Sequence, residues 1–281
     1  MPARRGSLVV VGTGIESMGQ MTPAARAEIR RAQRVFYLAA DPLTTATLRS
    51  LNRRAESLHD LYGKGRHRLR TYAAMVERIL AEVRGGLQVC LALYGHPGVF
   101  AIPSHAAVRL AREEGYRATM LPGISADACL IADLGIDPGS DGLQSYEATD
   151  FLLRRRRVDP AAGLVLWQVG VVGRLDYPSG PPDRKKAKVL TDALCALYPR
   201  GHVGTLYEAA ALPGFPPQIE RVKLSKLHEG DLSPITTLYV PPAKTTPIDR
   251  KMMKRLGIRP ADRVRCLRSS GRAAPAGPSD R

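Results

Sequence analysis

The sequence predicts an α/β fold in two domains, and three observations carry the prediction. Short apolar runs alternate with helix-period segments from the start, as the strands of a parallel sheet alternate with the helices that cover it. The chain has 281 residues, well beyond the ~150 of a typical single domain. Pro122-Gly123 separates two such alternating stretches, which gives α/β domains over 1–122 and 123–243 and a basic tail over 244–281.

The elements follow in order. Leu8 to Val11 is a strand apolar on both faces, and it stops at Gly12-Thr13-Gly14. Thr22-Pro23 combines an N-cap with proline in the first helical turn, opening a helix through Ala32. Val35 to Leu38 is the next strand, and Asp41-Pro42 restarts a helix by the same device. From Arg68 to Arg84 the apolar residues Leu69, Tyr72, Val76, Ile79 and Val83 recur at steps of three and four, so this is the clearest helix, closed by Gly85-Gly86. Leu87 to Leu93 is a strand, Pro103 to Glu114 a helix, and Tyr116 to Leu121 the last strand of the first domain.

In the second domain a helix spans Ser125 to Leu134, followed by a loop at Asp137-Pro138-Gly139. Strands are expected at Leu164–Val169, Val203–Glu208, Gln218–Val222 and Ile235–Val240, with a helix at Arg184–Tyr198. Proline and glycine crowd Gly173 to Asp183, which reads as a surface loop. Ile248 to Leu256 suits one basic helix, while Ser269 to Arg281, rich in Ser, Gly, Ala and Pro, suits disorder. There is no internal repeat.

Composition narrows the function classes. A net charge of +16 points to an anionic partner such as RNA, phosphate or a polycarboxylate. Yet residues 244–281 hold 11 basic and 3 acidic residues, so half of that charge belongs to the tail. Cys90, Cys129, Cys195 and Cys266 form no Cys-x-x-Cys pair, which argues against a zinc site and a disulfide framework. The six histidines lack metal-ligand spacing, so no metal is expected. With thiols of this kind and no apolar run near the ~18 residues of a membrane span, a cytoplasmic protein is expected.

Three loops offer chemistry. The first turn, Gly12-Thr13-Gly14, is followed by glycine only at Gly19, so it meets neither the dinucleotide fingerprint nor a Walker loop. Tyr94-Gly95-His96-Pro97-Gly98-Val99-Phe100 follows a strand, where backbone can approach a ligand closely; the plainer alternative is an ordinary strand-to-helix turn. Pro122-Gly123-Ile124-Ser125-Ala126 offers a helix N-terminus, or simply an N-cap at Ser125. A further constellation is Tyr62-Gly63-Lys64-Gly65-Arg66-His67-Arg68, ending in Tyr72. Arg68 and Tyr72 share a helix face and Tyr62 sits across a Gly-Lys-Gly loop that could fold back toward them, so a guanidinium and two phenols could hold an amide or carboxylate oxygen and take a proton from a neighbouring atom. The alternative is a solvated basic loop with Tyr72 in the core. Trp167 lies on a buried strand beside Gln168, a polar residue that needs a partner if interior.

Taken as a set, the loops resemble the tetrapyrrole-methylase class of S-adenosylmethionine (SAM)-dependent methyltransferases, and most of all the borosin peptide-backbone α-N-methyltransferases. The resemblance runs in order over residues 7 to 243. Its specific parts are Arg68-Leu69-Arg70-Thr71-Tyr72, Tyr94 to Phe100, Leu121 to Cys129, Ala132 to Pro138, Ser145-Tyr146-Glu147-Ala148 and Thr237 to Pro242. General members of the class carry Gly-Asp-Pro where this chain has Gly95-His96-Pro97, and Gly-Pro-Gly-Asp where it has Gly14-Ile15-Glu16-Ser17, which directs the resemblance to the borosin branch.

The resemblance implies two α/β domains with SAM in the cleft between them, and a homodimer. It implies a SAM pocket of Tyr94, His96, Val99, Phe100, Ser125, Ala126, Gln168, Ala209, Thr236 and Thr237, with Tyr62, Arg68, Tyr72 and Tyr94 as catalytic residues. The implied reaction is N-methylation of backbone amides in a ribosomally made precursor peptide. Such substrates are either fused to the enzyme or separate. Because residues 263–281 are basic and then Ser/Gly/Ala/Pro-rich rather than apolar, a substrate supplied in trans is expected. The alternatives are a methyltransferase acting on a tetrapyrrole or RNA, and a basic RNA-binding protein on the same fold; with 5% aromatic residues the chain has little to stack bases on.

Overall fold

The fold was obtained as a computed structural model that describes residues 6–63, 67–174, 176 and 180–259. In chain order the elements are β1 (Ser7–Gly12), α1 (Pro23–Arg31), β2 (Arg34–Leu38), α2 (Pro42–Leu51), β3 (Ala55–Ser57), α3 (Arg68–Arg84), β4 (Gln88–Leu93), α4 (Ile102–Glu113) and β5 (Arg117–Met120). There follow α5 (Ala126–Leu134), α6 (Pro138–Asp141), β6 (Leu143–Glu147), α7 (Ala148–Leu153), β7 (Gly163–Trp167), α8 (Arg184–Leu197), β8 (Val203–Glu208), β9 (Gln218–Lys223), β10 (Thr237–Val240) and α9 (Arg250–Arg255).

The first sheet has the order β3-β2-β4-β1-β5, and every pairing in it is parallel. Its central strands β1, β2 and β4 read as apolar runs because both faces are buried. Leu8, Val10, Leu91 and Leu93 join Met75, Ile79 and Leu80 of α3 and Ala107 and Ala111 of α4 in one cluster. Val11, Val35, Tyr37, Cys90 and Ala92 face the other way, onto Ala25 and Ile29 of α1 and Leu48 of α2. The helix starts use the devices read from the sequence. Thr22 Oγ1 accepts from Ala25 N at 3.1 Å, and Asp41 Oδ1 from Thr44 N at 2.7 Å, each with proline in the first turn. At α3, which lacks such a residue, His67 Nδ1 accepts from Leu69 N at 3.3 Å.

The second sheet, β6-β7-β10-β8-β9, is mixed: β6 runs parallel to β7, whereas β10 is antiparallel to β7 and β8, and β9 to β8. Leu164, Leu166, Leu206 and Leu238 pack onto Phe151 of α7 and Leu190 and Leu194 of α8. Val165, Trp167 and Tyr207 pack onto Leu130 of α5.

Several boundaries differ from expectation for local reasons. The strand expected to reach Val169 stops at Trp167, because Gln168 takes a left-handed conformation (φ +59°) and Val169–Val171 forms a 3-10 turn. Asp137-Pro138-Gly139 is not a loop but the start of one helical turn, capped by Asp137 Oδ1. β10 begins at Thr237 rather than Ile235. The strands β3 and β6 and the helix α7 carry no strong periodicity and were not expected. The basic helix is present as α9, whereas Ser269–Arg281 lies outside the described residues. Among those residues no helix is long and apolar enough to cross a membrane.

Candidate functional site

The first sheet has one point where its connections part. α1, which follows β1, lies on one face, whereas α4, which follows the neighbouring β4, lies on the other. Between the C-terminal ends of two such strands an open sheet leaves a crevice, the usual ligand position in this architecture. The Gly12–Gly14 turn and the Tyr94–Phe100 loop both open there.

Glycine makes that crevice. A Cβ on Gly12 would lie 2.2 Å from Gly95 O, and one on Gly123 would lie 3.2 Å from both Gly12 Cα and Gly95 O. Three loops thus touch through bare backbone. Gly14 and Gly95 exchange hydrogen bonds of 3.3 and 2.9 Å, with φ of +78° and +71°, values that disfavour any side chain. The rest of the second loop is fastened from α4. Ser104 Oγ donates to Pro97 O, His105 Nε2 to Gly98 O at 2.8 Å, and Gly98 N donates to His96 Nδ1 at 2.9 Å. Since His96 Nδ1 accepts, a neutral imidazole carries its proton on Nε2.

Fixed in this way, Val99 and Phe100 stand exposed, and Phe100 (φ +51°) brings its ring within 5.6 Å of Trp167 in the second sheet. Trp167 is itself held by Nε1 donating to Ser145 Oγ at 2.7 Å. Tyr94 is half-buried, its N–H bound to Leu38 O at 3.0 Å. Burial above all, then the Cys129 thiol and the Asp41 and Glu208 carboxylates, push its phenol up to about 12. Across neutral pH Tyr94 therefore stays a neutral hydrogen-bonding group.

The second unit supplies the opposite wall. Ser125 is buried at the start of α5, but its hydroxyl turns to Asp127 rather than capping the helix. Ala126 and Ala209 pack in one cluster with Trp167 and Tyr207. Gln168 is half-buried, and its neighbour Val169 donates to Thr236 O at 3.1 Å, which brings the ends of β7 and β10 together. Glu208 accepts from Ser233 Oγ at 2.5 Å and from Thr236 Oγ1. Thr236 and Thr237 are buried. The Thr236 hydroxyl proton is thereby committed within the protein, a detail hidden from sequence because Ser233 and Glu208 form no motif.

On the Tyr62 side, Tyr62, Leu61 and Tyr72 all pack on the first core cluster. Thr71 Oγ1 reaches Leu61 O at 3.5 Å, so the start of α3 is tied to the segment that carries Tyr62. Arg68 is the first residue of α3 and half-exposed. Residues 64–66 of the connecting loop lie outside the described residues. His59, which the sequence did not single out, lies with its ring 5.9 Å from that of Tyr62, tilted by 40°, and donates from Nε2 to Ala39 O at 2.9 Å.

A parallel α/β unit thus carries a glycine-walled crevice, and the ring of Phe100 beside it reaches Trp167 of a mixed α/β unit. Comparison with known proteins gives the family. Residues 7–170 match the tetrapyrrole (corrin/porphyrin) methylases. The chain is 43% identical over 263 residues to the methyltransferase/cyclic-peptide dendrothelin A precursor of Dendrothele bispora, covering 92% of this chain and 63% of that one. It is 43% identical to the omphalotin A precursor protein of Omphalotus olearius (93% and 64% covered), and 40% identical to a type I borosin precursor protein of Coprinopsis marcescibilis (91% and 68% covered). The chain thus spans a little under two thirds of the length of the first two relatives. Among solved structures it superposes on a uroporphyrin-III-C-methyltransferase from Thermus thermophilus with TM-score 0.62 at 18% identity, covering 88% of this chain and 99% of that one. It superposes on a diphthine synthase with TM-score 0.59 at 16% identity, covering 85% and 91%.

The chain belongs to the tetrapyrrole methylase family, on its borosin branch.

Proposed function

We propose that the protein is a SAM-dependent methyltransferase that N-methylates backbone amides of a ribosomally made precursor peptide, supplied in trans, and that it works as a homodimer. One observation carries the reading. The glycine crevice of Gly12, Gly95 and Gly123 opens beside Tyr94, with the Arg68/Tyr72 helix end packed on the same core as Tyr62.

The crevice fits SAM on its own chemistry. The backbone approaches without side chains at three glycines, the exposed ring of Phe100 offers an apolar face, and the carboxylates Asp41 and Glu208 set a field around Tyr94 that favours a cation. In this reading Tyr94, His96, Val99 and Phe100 hold SAM from one side, and Ser125, Ala126, Gln168, Ala209, Thr236 and Thr237 from the other. When bound, SAM supplies an electrophilic methyl on a sulfonium.

The chain's residues must then make an amide nitrogen nucleophilic. Its lone pair is delocalised into the carbonyl, so the protein has to favour an imidate-like form. Arg68 stabilises the charge growing on the amide oxygen, an interaction stronger in the transition state than in the ground state. Tyr62 or Tyr72 takes the amide proton. Tyr94, neutral at working pH, orients the reacting atoms by hydrogen bonding and contributes no base.

The test is intact-mass analysis after the protein, SAM and a separately expressed precursor are mixed. Stepwise gains of one CH₂ mass on the precursor are expected. Gains confined to a tetrapyrrole or an RNA offered in the same assay would overturn the peptide reading.

A further inference from the structure

Beside the crevice lies an open groove of about 710 Å³ along α2. Resting on the peptide reading above, we propose that this groove receives the substrate segment flanking the methylated amide, with small side chains over Ala39, Ala40 and Ala46 and a carboxylate against Arg49.

The groove is continuous with the candidate site at two points. Its floor, Ala39 and Ala40, prolongs β2 directly beyond Leu38, whose carbonyl holds Tyr94 N at 3.0 Å. Its side wall is His59, which is fixed to Ala39 O and whose ring lies 5.9 Å from that of Tyr62. The groove therefore adjoins the segments that carry Tyr94 and Tyr62.

The other wall is one face of α2. Pro42, Thr45, Ala46 and Arg49 recur at steps of three, one and three, so they line a single stripe. From Pro42 to Arg49 the helix rises about 10 Å, roughly the length of three extended residues. Ala39, Ala40 and Ala46 line the groove, so its own walls leave it open to an occupant.

Charge gives the groove a direction. Asp41, at the end near Tyr94, is already satisfied by Thr44 N at 2.7 Å and Thr44 Oγ1 at 2.6 Å, and it repels another carboxylate. Arg49, at the far end, is exposed and has no ion pair or hydrogen bond among the described residues. An acidic side chain two to four residues from the methylated amide meets both conditions.

The experiment uses the full chain with S-adenosylhomocysteine and fluorescent Val/Gly peptides. These carry one Asp, Ala or Lys at successive distances from a central amide, and binding is read by anisotropy. The expected result is about fivefold tighter binding of the Asp probe than of the Lys probe at two to four residues, the scale of an exposed ion pair. In Arg49→Glu the order inverts, and in Ala46→Trp all probes weaken. Tighter binding of the Lys probe by Arg49→Glu is a gain that a misfolded variant cannot show. No preference at any distance, or a preference that survives Arg49→Glu, overturns the groove. Mass analysis of the same probes with SAM separates the two readings. A probe bound with the Arg49-dependent preference but never methylated sinks the methyl-transfer reading, and one methylated with no preference sinks the groove alone.

Discussion

The glycine wall of the cleft is backbone against backbone, whereas the Arg68 wall is a set of side chains on a helix end. At Gly12 the neighbouring carbonyl already occupies the place of a Cβ, so shape is fixed and no titratable group is needed. At Arg68 the helix start is half-exposed and its cap is a histidine ring nitrogen, so geometry is loosely held and the chemistry sits in the guanidinium. The first wall should therefore fail structurally when altered, and the second chemically.

Gly12→Ala gives the largest expected effect. Its methyl would sit 2.2 Å from Gly95 O, and backbone on both sides leaves nothing to rotate away. A loss of about 3 kcal/mol or more in unfolding free energy is expected, with SAM binding lost. Gly123→Ala, whose Cβ meets its nearest neighbours at 3.2 Å, should cost about 1 kcal/mol. Urea midpoints and calorimetric SAM titration check both. Wild-type values for Gly12→Ala would remove the contrast between the walls.

Arg68→Ala tests the other wall. It should lower kcat by two orders of magnitude or more, about 3 kcal/mol, while melting temperature and SAM affinity stay near wild type. Tyr72→Phe should likewise abolish methylation with SAM affinity retained, if Tyr72 is the base. If Tyr62→Phe is the variant that removes the acid limb of the pH–rate profile, where the rate rises as the base loses its proton, the role passes to Tyr62. Equal loss of SAM binding in Arg68→Ala and Tyr72→Phe would show that this wall is structural after all.

The same contrast governs what could be read from sequence. In the first unit the central strands β1, β2 and β4 are apolar runs buried on both faces, and α1 and α2 begin at a Thr-Pro and an Asp-Pro pair; α3 is expected at its observed bounds. The second unit hides more. β6 (Leu-Gln-Ser-Tyr-Glu) is an edge strand with only half-buried residues, and α7 is six residues long. Gln168 ends β7 by a left-handed turn for which a glutamine gives no signal. In the site, glycines and motif order were legible. The Glu208–Ser233–Thr236 hydrogen bonds and the Ser17 N–Ala211 O bond of 2.9 Å joining the units were not, because they are non-local pairings of common residue types.

Tyr94 adjoins the glycine wall at Gly95, and its expected effect is intermediate. Its phenol, ordinarily near 10, is pushed up to about 12, so it stays protonated wherever the enzyme works. Tyr94→Phe should lower kcat by about tenfold, the worth of one hydrogen bond near the reacting atoms, and leave the shape of the pH–rate profile unchanged. Loss of the acid limb in this variant would make Tyr94 the base and merge the walls. Because its folded pKa is raised, Tyr94 adds stability below its ordinary pKa, and that stability disappears as pH climbs from about 10 to about 12. Tyr94→Phe should therefore unfold less readily than wild type in alkali.

The smallest expected effect sharpens the comparison at the groove side. Burial alone would raise the Asp41 carboxyl. Hydrogen bonds from the Thr44 side chain and backbone, then from Ser17, outweigh it and hold the group below its ordinary 3.8. A depressed carboxylate contributes stability that is complete above that ordinary value and is lost as pH falls through the folded pKa. Asp41→Asn keeps an N-cap acceptor but removes the charge, so it should cost only ~0.5 kcal/mol at neutral pH, whereas Asp41→Ala should cost ~1 kcal/mol. In acid, wild type should converge on Asp41→Asn, because protonation removes the same charge. Thermal melts between pH 3 and pH 7 read this directly. A constant gap between the two proteins across that range would show that Asp41 acts on α2 through shape alone, as Gly12 does in its crevice.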